Sequence, residues 1–128
     1  MTVTEKEIAA VSLLPRDQRL RHFLKRVADF EEVWAIQDDG WVLAGTKGEA
    51  EVFQVWPFAE YASLCCVGEW AGCVPAAIPL DEFMDSFLPD FEEKGILIGT
   101  FYTPNDNGVL VPPKTLSSLL EEELENYR

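Results

Sequence analysis

The side chains that could carry chemistry in this sequence are few and scattered. Cys65, Cys66 and Cys73 are the only thiols, and His22 is the only imidazole. A zinc site needs about four such ligands at characteristic spacing, which this set does not offer. Cys65 falls on the apolar face of a predicted helix, where cysteine behaves as a small hydrophobe. A nucleophile also needs a base beside it. His22 sits instead among Arg19, Arg21, Lys25 and Arg26, whose charges would lower its pKa, and it reads as an exposed surface residue. Carboxylates are numerous, but on predicted helices they take the solvent faces, without the cleft that acid–base work needs. No glycine-rich phosphate loop or dinucleotide fingerprint occurs. No catalytic residue, metal ligand set or cofactor is expected, and the sequence leans away from an enzyme.

Two patches remain as binding candidates. The first is the basic face Arg19, Arg21, His22, Lys25 and Arg26; with Arg16, one helix holds half of the ten basic residues. Such a face either lies over the chain's own acidic helices, including Glu121–Glu125, or receives an anion or an acidic partner. The second is an aromatic and proline-rich middle: Trp56, Pro57, Phe58 and Tyr61, then Trp70, Pro75 and Pro79. These rings are core by default, although Trp and Tyr are also favoured anchors at interfaces and pockets. Trp70, in a loop between Gly68 and Gly72, is the aromatic most expected to be partly exposed.

Composition narrows the classes of function. The 128 residues make one ordinary domain, with 48% apolar residues and 12% aromatic ones, enough for a core without metals or disulfides. The 23 acidic and 10 basic residues give a net charge of −13. That charge repels phosphate backbones and anionic bilayers, so neither nucleic acid nor membrane is an expected partner. It suits solubility, or steering towards a basic protein. The opening residues lack the basic and apolar regions of a signal peptide, and no apolar run approaches the ~18 residues of a span. Three unevenly spaced cysteines make no disulfide framework, which points to a reducing compartment and a cytoplasmic location.

The elements that would position these patches follow from local signals. Thr4 with Glu7 has capping-box spacing for a helix over Glu5–Leu14. Pro15 opens a second helix, whose apolar stripe is Leu20, Phe23, Leu24 and Val27. Glu32–Gln37 and Trp41–Ala44 flank Asp39-Gly40 as a hairpin. Gly45-Thr46-Lys47-Gly48 then turns the chain into Glu51–Trp56, completing a three-strand meander. Phe58–Val67 reads as helix, closed by Gly68, and Glu69–Pro79 reads as an ordered loop with one short extended piece. From Asp81 the chain is helical again, with Leu80, Phe83, Met84, Phe87, Leu88 and Phe91 at helical period. Pro89 should end or kink that helix, and Gly95 terminates it. Ile96–Tyr102 and Val109–Val111 form a hairpin around Pro104-Asn105-Asp106-Asn107-Gly108. A last helix carries Leu116, Leu119, Leu120, Leu124 and Tyr127 inward and Glu121, Glu122 and Glu125 outward.

Grouped rather than alternating elements imply a single α+β domain over 1–128. Its mainly antiparallel sheet has about five strands, a meander plus a C-terminal hairpin, packed with about four to five helices. Residues 1–14 form an N-terminal helical extension. The order of several short pieces also resembles a bacterial family, domain of unknown function 2750, over about residues 20–125. The pieces are Phe23-Leu24-Lys25-Arg26-Val27, Glu32-Val33-Trp34-Ala35, Gly40-Trp41, Val55-Trp56-Pro57, Gly68-Glu69-Trp70-Ala71-Gly72, Ile78-Pro79-Leu80-Asp81-Glu82-Phe83 and Phe101-Tyr102-Thr103-Pro104. The resemblance implies a small cytoplasmic bacterial protein and supplies no catalytic residue.

The expected function is a non-enzymatic, acidic module that binds a basic protein, with an inhibitor or immunity-type protein as one specific form. The alternative is a small-molecule-binding or enzymatic domain with a pocket near Trp56, Tyr61 and Trp70. Self-association into a homo-oligomer through the aromatic loop is a third expectation.

Overall fold

The computed structural model describes residues 4–44, 51–104 and 106–126. The expected Gly45–Gly48 turn, Asn105 of the second turn and the inward Tyr127 lie outside the described residues. The chain is an α+β domain, as its grouped elements imply.

Helix α1 spans Glu5–Ser12, and the Thr4 hydroxyl caps it by accepting from the Glu7 N–H at 3.1 Å. Helix α2 spans Arg16–Phe30 behind Pro15, and Phe23, Leu24 and Val27 of its apolar stripe are buried. Strand β1, Glu32–Gln37, follows directly. Strands β2 (Leu43–Ala44) and β3 (Val52–Val55) lead to helix α3, Ala59–Leu64. Gly68 does not close α3: with φ +61 it opens a single 3-10 turn, Gly68–Trp70. Strand β4, Val74–Pro79, runs straight into a helical rod made of α4 (Leu80–Glu82), a π-helical turn (Phe83–Phe87) and α5 (Leu88–Lys94). Gly95 ends the rod in the left-handed region at φ +71, which glycine adopts without a Cβ penalty. Strands β5 (Leu97–Thr100) and β6 (Val109–Val111) precede helix α6, Pro113–Glu125. No helix among the described residues is long and apolar enough to cross a membrane.

The strands pair differently from the expected meander. Strands β2, β3, β5 and β6 form one sheet in that order, antiparallel except for the parallel β3–β5 pair. Strand β1 forms a second sheet with β4, from Glu32 opposite Pro79 to Gln37 opposite Val74. The Asp39-Gly40 turn is therefore no simple hairpin. It closes a short excursion, with Gln37 bridged to Trp41 and Val42 N–H donating to Ile36 O at 3.2 Å. Trp34 and Trp56 exchange backbone hydrogen bonds of 2.9 and 2.8 Å, which join the two sheets. That exchange turns the Trp34 N–H and C=O away from β4. By the alternation of an antiparallel pair, the nitrogens of Pro75 and Pro79 then face the open edge of β4, where no donor is needed. Two prolines that look like loop punctuation sit in a real strand because it is an edge.

Pro89 does not stop its helix either. A proline ring inside a helix collides with the carbonyl four residues earlier. Here the turn directly before it is wound wider, Leu88 N–H reaching Phe83 O, and the rod continues to Lys94. Phe83, Leu88 and Phe91 stay buried against the sheet, and Leu116 and Leu120 of α6 complete the core.

The β5–β6 hairpin is closed on a side chain. A Cβ on Gly108 would lie 2.0 Å from the Thr100 carbonyl oxygen and 2.6 Å from the Tyr102 ring. Backbone on the opposite strand cannot move aside as a flexible side chain can. Gly108→Ala is expected to destabilise the protein by at least about 2 kcal/mol, read as a lower urea midpoint at unchanged slope.

Candidate functional site

Four elements meet at Arg19. It leaves the first turn of α2 and points inward, only 2% exposed, contrary to its expected place on a solvated basic face. Its Nη1 donates to Leu14 O at 2.9 Å, at the α1–α2 corner. Its Nε donates to Phe101 O at 3.2 Å, and its Nη2 to Asp106 Oδ2 at 2.9 Å and Asn107 O at 2.6 Å. A buried guanidinium is tolerable only when its donors are met, and two carbonyl-rich turns plus one carboxylate meet them here. Phe101 holds φ +58, strained for an aromatic residue, and so turns its carbonyl towards Arg19. Arg16 chelates the same carboxylate from the surface, through Nε at 3.1 and 3.2 Å and Nη2 at 2.8 Å. Arg16 first, then Arg19, holds the Asp106 carboxyl down to about 2. These arginines thus answer Asp106 rather than the acidic stretch Glu121–Glu125.

The rest of the expected basic face is divided. Arg21 and Lys25 are exposed and Arg26 is half-buried; Lys25 and Glu125 each have a partner. His22 is half-buried rather than exposed. It lies edge-on to Tyr61, with ring centroids 6.5 Å apart, and 6.1 Å from Phe101. Burial, then Arg26, lowers its pKa and keeps the ring neutral at pH 7. Tyr61 is buried in the core, and desolvation pushes its hydroxyl up to about 12. Trp56 is fully buried, its indole N–H donating to Tyr102 O at 2.9 Å. Trp56 and Tyr61 thus present no ring to an open pocket, and Trp70 is half-buried. The most exposed tryptophan is Trp41, at 37%, rather than Trp70. Burial raises all three thiols, Cys65 to about 11, which leaves each of them protonated and weakly nucleophilic. Among the described residues no group of Cys, His, Asp and Glu could hold a metal ion.

One open groove, of about 650 Å³, lies at the α1–α2 corner between Leu13, Leu14, Leu64 and Pro104, and two more border the 80–94 rod. On one side the end of α2 and the start of the rod enclose a groove of about 510 Å³. Its floor is Ala28, Leu80, Met84 and Leu124, and its walls carry the exposed carboxylates of Asp29, Glu31, Asp81 and Asp85. Asp81 fits its place in the first turn of α4, where its Oδ1 accepts from the Glu82 N–H at 2.9 Å. Asp29 and Glu31 do not fit theirs. Both sit at the C-terminal end of α2, against the helix dipole, and that last turn has no basic residue. Glu31 also takes φ +55, where glycine or asparagine is usual.

On the other side lies a cleft of about 500 Å³ lined by Trp41, Leu43, Phe53, Phe87 and Phe91. The Trp41 and Phe87 rings stand at 83° with centroids 5.7 Å apart, making a corner. Ser86, Asp90 and Lys94 form its rim, and Lys94 Nζ lies 2.9 Å from Asp90 Oδ2. Sequence reasoning passed over both grooves. Their residues are spread over α2, β2, β3, the rod and α6, and each alone reads as core or as a solvated face. The one local signal was Pro89 inside a helical pattern, which marks an irregular turn.

The family described as protein of unknown function (DUF2750) matches residues 20–120, and the chain belongs to that family. No curated protein and no solved structure matches the chain. Helix α1 and Arg16 precede the matched segment, while Arg19 directly abuts it and Asp106 lies within it.

Replacing Arg19 by Met is expected to cost roughly 3–5 kcal/mol, because carbonyls and a carboxylate built around a cation lose it. Arg16→Ala, at the exposed end of the same carboxylate, should cost far less; urea unfolding of the two variants measures the difference. The Asp106 carboxyl ionises more readily folded than at its ordinary value of 3.8, so it favours the native state above about pH 4. That contribution should drain away as the pH falls towards about 2. In Asp106→Asn, stability measured across the same range should lose this component of its pH dependence.

Proposed function

We propose that this member of the DUF2750 family is a non-enzymatic protein-binding module that recognises a basic partner through the groove between α2 and the rod. The observation that carries the reading is the placement of Asp29 and Glu31. Local energetics disfavour carboxylates at a helix C-terminus, and one of these occupies a left-handed backbone position. Placed there, they face Asp81 and Asp85 across an apolar floor. A lysine or arginine side chain fits such a groove, its aliphatic stem on Leu80, Met84 and Leu124 and its charged head among the carboxylates. The net charge of −13 would speed the encounter with a basic surface. A specific form of this reading is an inhibitor or immunity-type protein acting in the bacterial cytoplasm, its acidic face covering a basic enzyme. Inert, protonated thiols, and a histidine whose Nε2 makes no hydrogen bond among the described residues, favour binding over catalysis.

The test is affinity capture from the source cell's lysate, comparing the native chain with a variant carrying Asp29→Asn, Glu31→Gln, Asp81→Asn and Asp85→Asn. The native chain should retain one stoichiometric basic protein at low salt and release it as salt rises, and the variant should retain at least about tenfold less. Equal retention by both chains, or an empty capture at low salt, overturns the reading.

A further inference from the structure

We infer that helix α1 is an acid-released strap: protonation of His22 beneath it frees α1 from α2 and α3 while the rest of the domain stays folded. No residue of α1 lines the acidic groove, so the strap does not depend on the protein-binding reading.

Each of the first three helices buries one side-chain atom without a hydrogen bond: Ser12 Oγ on α1, His22 Nε2 on α2 and Tyr61 Oη on α3. Tyr61 is 1% exposed, and its ring meets that of His22 edge-on at 6.5 Å. Phe101 packs against both, with ring centroids 4.8 Å from Tyr61 and 6.1 Å from His22. A neutral imidazole is accommodated among these rings at the cost of one unmade bond. An imidazolium is not. It carries a proton on both nitrogens, so Nε2 becomes a buried, charged donor with no acceptor in place.

The surrounding charges act in the same direction. Arg26 and Lys25 of α2 oppose a positive His22 and Glu7 of α1 favours it, with Arg26 acting more strongly than Glu7. From α3 come the Tyr61 phenol and, acting on that phenol, Glu60. Burial is the larger effect, and it holds the His22 pKa below the ordinary 6.5. The docked state therefore binds its proton less tightly than the released one. Docking is at full strength above about pH 6.5. It weakens as the pH falls from there towards the lower pKa of the docked state, by up to about tenfold per pH unit.

What gives way is α1, because it has the least to lose. Val11 is its one buried residue, whereas α2 buries five. Ile8, Ser12 and Leu13 share an open groove of about 650 Å³ with Leu64 and Pro104, so that flank of α1 is not packed down. Arg19 Nη1 donates to Leu14 O, beyond the end of α1, and keeps the corner fixed while the helix leaves. Helix α1 also precedes the segment that matches the family, residues 20–120.

His22 is the only imidazole, so its C2–H resonance reports a single titration. Amide hydrogen exchange of Val11 and of the fully buried Val27, corrected for the intrinsic rate at each pH, follows α1 and the core of α2 in the pure full chain. From about pH 7.5 to about pH 5, protection of Val11 should fall at least about fivefold as the His22 C2–H titrates, with Val27 unchanged. His22→Gln, neutral at every pH, should abolish that fall. If this variant does not fold, Glu7→Gln serves instead: without the carboxylate that favours the imidazolium, the fall should deepen. Flat Val11 protection through the His22 titration, an equal fall in His22→Gln, or no deeper fall in Glu7→Gln overturns the inference. So does a parallel loss at Val27, because the whole domain would then be opening rather than the strap.

Discussion

A guanidinium enclosed in protein has to find acceptors for its donors, and the acceptors of Arg19 come from chain segments far apart in sequence. Leu14 belongs to the corner before α2, Phe101 to the end of β5, and Asp106 and Asn107 to the turn before β6. Once Arg19 is inside, that corner and that turn lose their freedom, because releasing any of them would leave a buried charge short of a partner. The left-handed φ of Phe101 belongs to the same constraint. So does the packing of Tyr102, whose carbonyl receives the Trp56 indole and whose ring lies against Gly99 and Gly108. The Trp34–Trp56 exchange then ties this corner to the second sheet. Two of the rings expected to line a ligand pocket, Trp56 and Tyr61, are thereby buried in the core, while Trp70 stays half-buried.

With Trp56 and Tyr61 used in the core, the helical rod after β4 borders two of the open grooves. Its π-helical turn is the price of Pro89 and also shapes the surface, since the wider turn carries Ser86 and Phe87 into the wall of the cleft. Met84 and Asp85, in the same turn, border the acidic groove. One local irregularity therefore contributes to both depressions. A regular helix would meet the i→i−4 rule only without that proline, and would rotate the later residues relative to β2 and β3.

The electrostatics divide in the same manner. Where cations and carboxylates are close, as around Asp106, the charges are matched within the chain and hold structure together. Around the groove the carboxylates of Asp29, Glu31 and Asp85 lie exposed with no ion pair among the described residues. Matched charge rigidifies, whereas unmatched charge at the surface is available to a partner and sensitive to salt. Of the basic residues clustered in α2, Arg19 serves the interior, while Arg21 and Lys25 stay at the surface.

Features set by neighbours in the chain were legible from sequence alone. The Thr4 cap, the start of α2 after Pro15, the strand Glu32–Gln37 and the stop at Gly95 each depend on side chains within a few residues. So did the α+β class and the family, because they follow from the order of such elements and motifs. Tertiary structure alone decided whether a residue faced in or out when its own helix allowed either. Arg19 and Arg21 have the same charge on the same helix, yet only Arg19 meets carbonyls from more than 80 positions away. The pairing of β1 with β4 was equally out of reach, because Pro75 and Pro79 are tolerated only at an edge, and an edge is a property of the whole sheet. The grooves beside the rod belong to that second class: they are spaces between elements, and no stretch of sequence contains them.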